Sequence, residues 1–201
     1  MLKRFSQKHV IEAGCDEAGR GCLAGPVYAA AVILPSDFQN PYLDDSKKLS
    51  EELRNELRPL IEEKAVCWAV SWASPEEIDR VNILNASFLA MHRAISKLKI
   101  EPELLLIDGN RFRKYSTVEH RTIIGGDGIY MSIAAASILA KTYRDDYMVS
   151  LHQKYPHYCW QTNKGYGTEK HRAAIFEHGY SEHHRKSFHI FDNQLELAFL
   201  S

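Results

Sequence analysis

The sequence predicts a mixed α/β sheet, and three observations carry that reading. Short apolar or alternating runs of strand length come first, two more such runs follow a long amphipathic stretch, and a small-residue helical pattern succeeds the last of them. Strand units joined by helical crossovers, after an opening set of strands joined by short turns, make one sheet with both parallel and antiparallel neighbours.

In order, Val10–Glu17, Val27–Leu34 and Val66–Trp72 read as the first three strands, and the glycine-rich turn between the first two suggests a hairpin. Between the second and third, Leu53, Leu57, Leu60 and Ile61 keep helical spacing over Ser50–Lys64. Pro59 should kink or divide that helix. Ser74-Pro75-Glu76-Glu77 has capping-box order with proline at the first helical position. Leu84, Phe88, Met91, Ile95 and Leu98 extend one apolar stripe after it, so a single helical crossover is expected to end near Lys99. Leu104–Asp108 and His120–Ile124 read as the fourth and fifth strands, followed by a helix from Ser132 to about Tyr147. After Leu151 the chain is loop-rich, with a helix over Glu169–His178 closed by Gly179. The expected organisation is a core over 1–150 and a helical and loop extension over 151–201, together one compact unit.

A chain of 201 residues with 45% hydrophobic residues suffices for one buried core. The net charge of −1 means that any nucleic-acid partner must meet a local basic surface. Ser36–Arg80 holds eleven acidic against six basic residues. Lys141–Ile190 holds five against eight, with seven of the ten histidines, and is the expected electrostatic footprint. The four cysteines have neither finger nor redox-pair spacing, and no apolar run is long enough to span a bilayer. A reduced, cytoplasmic chain is expected. His183, His184 and His189 lack the partners and spacing of a zinc site, and no phosphate-binding Walker loop is present.

The chemistry sits at strand ends. Asp16 and Glu17 end one strand, Asp108 ends another, and Asp127 follows a third. If those strands lie side by side and point the same way, the acids converge at one edge of the sheet, where clustered carboxylates repel one another unless a hard cation such as Mg²⁺ or Mn²⁺ sits between them. Taken singly each acid has a plainer reading, since Asp108-Gly109 is a common turn pair and Asp127 lies between glycines. Gly19-Arg20-Gly21 lets backbone N–H groups approach a phosphate or sugar, or is an ordinary turn. Asn163-Lys164-Gly165-Tyr166-Gly167 combines a cation and an aromatic ring in a flexible loop.

Six blocks in order resemble the bacterial ribonuclease HII (type 2 RNase H) family: Gly14–Gly21, Asp45–Ser50, Leu106–Asn110, Ser132–Asp145, Lys164–Tyr166 and His184–Phe188. The resemblance implies an RNase H-like fold, a central mixed five-stranded sheet flanked by helices with a C-terminal helical extension. It implies Asp16, Glu17, Asp108 and Asp127 as the catalytic, metal-binding acids, with two Mg²⁺ or Mn²⁺ ions in the presence of substrate. It implies RNA/DNA hybrids and DNA containing ribonucleotides as substrates, cut on the 5′ side of a ribonucleotide to leave 3′-hydroxyl and 5′-phosphate ends, which would start ribonucleotide excision repair. Gly19, Arg20 and Gly21 would read the 2′-hydroxyl, Tyr166 would stack on the next sugar, Ser46 and Lys47 would hold phosphates, and Lys164 and Arg185 would bind substrate. Many members carry Lys-Gly-Asp-Ser around the fourth acid, where this chain has Gly125-Gly126-Asp127-Gly128; Asp145 and Asp146 are the nearby substitutes, and Asp127 is retained. A resolvase or exonuclease of the wider RNase H-like class would share the acids without needing the Gly19–Gly21 reader or Tyr166. A silent nucleic-acid-binding module would be expected to have lost the acids. The tail Gln194-Leu195-Glu196-Leu197-Ala198-Phe199 resembles the short peptides with which bacterial repair enzymes dock on the sliding clamp; its apolar residues could equally cover the enzyme's own body.

Overall fold

A computed structural model of the chain describes residues 2–190. The strands are β1 (Glu12–Ala18), β2 (Val27–Ile33), β3 (Cys67–Ala73), β4 (Leu104–Asp108) and β5 (Glu119–Ile123). They form one sheet in the order β3-β2-β1-β4-β5. β1–β2 and β2–β3 pair antiparallel, whereas β1–β4 and β4–β5 pair parallel. The C-terminal ends of β1, β4 and β5 therefore open on the same edge, the condition the strand-end acids required.

Among the described residues six α-helices accompany the sheet: α1 (Glu51–Lys64), α2 (Pro75–Val81), α3 (Ile83–Ser96), α4 (Met131–Lys154), α5 (Trp160–Asn163) and α6 (Glu169–His178). Alternation along the strands sends Cys15, Ala29, Ala31, Leu105 and Ile107 to the face covered by α2 and α3. Ala30 and Val32 go to the opposite face, under α1 and α4.

Three elements depart from expectation. α1 is one undivided helix despite Pro59. The proline sits on the exposed side, and so does Asn55, whose carbonyl loses its helical partner and faces water instead. The crossover expected as one helix is two, because Asn82 adopts a positive φ of 66° and its side chain accepts from Asn85 N–H to start α3. The capping box of α2 forms as expected, Ser74 and Glu77 each accepting from the other's backbone at 3.2 and 3.0 Å. Arg93 of α3 grips the same Glu77 and holds its carboxyl down at about 2, which ties the two pieces together.

α4 runs two turns past the expected end near Tyr147. Its charged turn carries on as helix because each charge finds a partner: Asp145 on Lys141, Asp146 on Arg58, and Arg144 on three backbone carbonyls. Met148 and Leu151 then bury among Leu23, Tyr158, Trp160 and Ile175, the small core beneath the C-terminal segment.

Within that core the hydrogen bonds assign the tautomers of two buried histidines. Ser181 N–H donates to His184 Nδ1 (3.0 Å), so His184 carries its proton on Nε2 and donates it to His171 Nε2 (3.1 Å). His171 Nε2 also accepts from Trp160 Nε1–H (3.0 Å), so its own proton lies on Nδ1 and goes to the Tyr166 carbonyl (2.9 Å). Burial lowers both pKa values, that of His184 to about 4. The unfolded chain, with ordinary histidines near 6.5, takes up protons first on acidification, so this contribution to stability is complete above about pH 6.5 and is lost as pH falls toward about 4. The melting temperature should drop across that window, and by less in His184→Asn, which keeps an acceptor for Ser181 but has no proton to gain.

Candidate active site

β1 delivers Asp16 and Glu17 to the open edge of the sheet, and β4 delivers Asp108 beside them, one step beyond the paired Cys15 and Ile107. Asp16 is 5% exposed and accepts from Glu17 N–H at 2.7 Å. Burial holds its carboxyl well above the usual carboxylate range, and Glu17 and Asp108 push it further. Burial raises Glu17 as well, against the opposing charge of Arg20, which forms an ion pair with it at 3.1 Å. Asp108 accepts from Gly126 N–H at 2.7 Å, which fastens the turn after β5 to the end of β4.

That turn carries the fourth acid. Gly125 takes a left-handed conformation (φ 65°), and the tight 3₁₀ turn after it turns Asp127 inward to 4% exposure. Burial, Asp108 and then Asp45 raise its pKa. One carboxylate oxygen of Asp127, Oδ2, is buried without a hydrogen-bond partner. Asp145 and Asp146 already have cationic partners, Lys141 and Arg58.

A cleft of about 650 Å³ joins Asp16, Glu17 and Asp108 to Gly19-Arg20-Gly21, Ser46, Lys47 and Tyr166. Ser46 is buried, its hydroxyl 2.8 Å from that of Ser137 on α4, while Lys47 is exposed and its charge reaches both Glu17 and Asp127. Tyr166 is 44% exposed, and its backbone bridges to Cys22 just past the glycine segment.

Two residues of the sequence reading are placed differently. Lys164 turns away from the cleft, its ammonium on the Gln161 carbonyl (2.6 Å) and near Glu51 (3.5 Å). Arg185 is 1% exposed and donates to the carbonyls of Gly19 (2.6 Å), Arg20 (2.8 Å) and Gly25 (2.9 Å). It shapes the glycine segment from behind and cannot itself meet a ligand in the cleft. Arg144, which the sequence reading did not single out, does the same for Ala24, Pro26 and Lys164. A Cβ on Gly19 would collide with the Arg144 side chain, 1.9 Å from Nε, and Gly19 also needs its positive φ of 92°. Ser137 and Lys141, one helical turn apart on α4, line the cleft too. Polar residues at that spacing in the mostly apolar first half of the helix were the available signal.

Among the described residues, no three ligand-type side chains are already drawn together into a metal cage. The donor set nonetheless suits a hard divalent cation: Asp16, Glu17 and Asp108 repel one another, Asp108 repels Asp127 outside the cleft lining, three of the four have raised pKa values, and one has an orphaned buried oxygen. Such a charge would relieve the repulsion and supply the missing partner.

The family model for ribonuclease HII matches residues 13–191. A ribonuclease HII of Phocaeicola vulgatus is 63% identical over 201 residues, covering 99% of this chain and all of that one. Ribonuclease HII of Archaeoglobus fulgidus, solved in complex with PCNA, is 24% identical with a TM-score of 0.74, covering 93% of this chain and 99% of that one. Bst-RNase HIII, solved with Mn²⁺, is 18% identical with a TM-score of 0.69, covering 96% and 71%. The two solved structures speak for the RNase H-like fold. With strand-end acids, a glycine segment and a tyrosine in one cleft, and a family match over nearly its whole length, the chain belongs to the ribonuclease HII family of type 2 RNases H, endonucleases that hydrolyse RNA in RNA/DNA hybrids.

Proposed function

We propose that the chain incises the strand on the 5′ side of ribonucleotides, including a single ribonucleotide embedded in DNA, and so begins ribonucleotide excision repair in the cytoplasm. The observation that carries this reading is the shared cleft, in which the Gly19–Gly21 backbone and the Tyr166 ring face the same space as Asp16, Glu17 and Asp108. A nuclease indifferent to sugar type would need the acids alone.

Asp16, Glu17, Asp108 and Asp127 would hold Mg²⁺ or Mn²⁺, two ions when substrate is bound. What the ions supply there is activation of water and neutralisation of the leaving 3′ oxygen, so the protein provides no nucleophile. Ser46 and Lys47 hold the phosphate at the acids. The Gly19–Gly21 backbone, kept in place by the Arg144 and Arg185 guanidinium groups, meets the 2′-hydroxyl at a distance no side chain would permit. Tyr166 packs on the following sugar, supplied by the extension over 151–201. The products carry 3′-hydroxyl and 5′-phosphate ends.

The test compares matched all-DNA, single-ribonucleotide and hybrid duplexes, with and without chelator; cleavage of the all-DNA duplex, or cleavage indifferent to chelator, overturns the reading. Gly21→Ala sharpens it. A Cβ there meets nothing within 4 Å and φ is ordinary, so stability should change by less than ~0.5 kcal/mol. Cleavage at a single ribonucleotide should nevertheless fall about tenfold or more, as should that of Tyr166→Ala, with duplex binding little altered.

The candidate clamp peptide, Gln194–Phe199, lies outside the described residues. The Archaeoglobus enzyme was solved with PCNA, which supports a clamp contact, and the docking role of the tail rests on its sequence alone. Deleting 194–201 should leave oligonucleotide cleavage unchanged and abolish co-elution with the sliding clamp. Unaltered co-elution would reject the docking role.

A further inference from the structure

The cleft does not end at the acids. Glu17, Arg20 and Asp108 are also the rim of a second hollow, of about 230 Å³, walled by Leu84, Ser87 and Met91 of α3 and by the turn after β4. At Phe88, Asn110 and Arg111 this hollow opens in turn onto a third, shallow one between Asn85 and the outer edge of β5 at His120 and Thr122. The acids thus stand partway along a continuous track. One arm ends at Tyr166, and the other has no role in the reading above.

That other arm is built for a polyanion. Arg111, Arg113 and Lys114 are exposed, and none forms an ion pair with any described residue. They ride on a fixed platform. Phe112 lies edge-on to Phe88 (5.9 Å), His92 (5.2 Å) and His120 (5.1 Å), and the His92 ring is hydrogen-bonded to the Arg113 carbonyl at 2.7 Å. A backbone held in this way loses less freedom on binding than a floppy loop would. In the wall of the second hollow, Ser87 Oγ is buried without a hydrogen-bond partner, a donor with nothing yet to satisfy it. Since the chain as a whole is nearly neutral, three free cations within six residues of Asp108 are a local concentration of charge.

We infer that the Arg111–Lys114 turn and the hollow walled by Ser87 and Phe88 form a second binding arm, which takes the sugar-phosphate backbone of the substrate strand on the side of the scissile phosphate away from Tyr166. This rests on the proposed function, which puts Tyr166 on the 3′ side of the ribonucleotide and the new arm on the 5′ side. The cations pair with phosphates, and the partly exposed Phe88 ring offers a sequence-tolerant surface to a sugar or base.

The experiment measures binding to single-ribonucleotide duplexes by fluorescence anisotropy in chelator, and cleavage with metal present. One substrate carries a full helical turn of duplex 5′ of the ribonucleotide, and a second only about two base pairs there. For the triple variant Arg111→Ala, Arg113→Ala and Lys114→Ala, binding of the long-arm substrate should weaken about tenfold or more at moderate salt, and the slope of log affinity against log salt should fall by about three. On the short-arm substrate the variant and wild type should match. The charge-keeping double variant Arg111→Lys and Arg113→Lys, with Lys114 intact, should keep the wild-type salt slope, and a wild-type melting temperature in the triple variant shows that the fold is intact. Equal loss on both substrates, or no loss on either, overturns the inference. A wild-type enzyme without ribonucleotide-dependent cleavage would instead overturn the proposed function, so the two failures read differently.

Discussion

Asp108→Asn should lose cleavage by about a thousandfold or more, some 4 kcal/mol of transition-state stabilisation, while the protein remains folded and still binds duplex. The asparagine retains an oxygen that can accept the Gly126 N–H bond now held at 2.7 Å, so the turn bearing Asp127 stays where it is. What disappears is one negative charge among acids that already repel one another. In chelator the variant should therefore melt at or above the wild type, and added Mg²⁺ or Mn²⁺ should stabilise it less. Activity loss together with a raised metal-free melting temperature is a signature that a merely structural aspartate would not give. Near-normal turnover would remove Asp108 from the metal site. Asp127→Asn should be comparably damaging, since its buried unpartnered Oδ2 is the oxygen with most to gain from a cation.

Gly14→Ala should be the most destabilising single methyl group in the sheet. A Cβ at Gly14 would lie 2.2 Å from the Ser132 carbonyl carbon and 2.4 Å from the Ile133 nitrogen, so it meets the backbone of α4 and not a side chain that could rotate away. α4 bears on β1 and β2 through a run of alanines, and the absent side chain at Gly14 lets the helix start come down at this level. Forcing the two apart would cost about 3 kcal/mol or more, lowering the melting temperature of a chain this size by roughly 6 to 12 °C. The acids two and three residues further along β1 would shift with it, so activity should fall as well. Gly21→Ala, seven residues on and in open space, is the matched control; equal thermal effects at the two positions would contradict the packing argument.

Periodicity, capping and turn residues found every strand and nearly every helix, because these are local signals. The strand-end acids were legible for the same reason: an acid closing an apolar run is visible without knowing which strands pair. Long-range partners were not legible. Pro59 is harmless because Asn55 happens to face water, Asn82 breaks the crossover by a backbone angle, and α4 runs on because Lys141, Arg58 and three carbonyls receive its charges. Lys164 and Arg185 look alike in sequence, each a cation inside a block that resembles the family, yet Glu51 and Gln161 turn one aside and buried carbonyls claim the other.

The paired guanidinium groups of Arg144 and Arg185 bear on how such an enzyme can be shortened or recombined. Among the described residues no carboxylate forms an ion pair with either; both are solvated by backbone oxygens drawn from the segment after β1 and from the Lys164 loop. Cutting the chain after α4 would strip Arg144 of one of these oxygens and leave those of Gly19, Arg20 and Gly25 without Arg185. Grafting the last quarter from a distant relative would succeed only if it returned a carbonyl to Arg144 and a guanidinium to the carbonyls of Gly19, Arg20 and Gly25. The C-terminal segment and the proposed ribonucleotide reader are in this sense one inheritable part, and a minimal enzyme ending at residue 150 would have its Gly19–Gly21 segment unsupported.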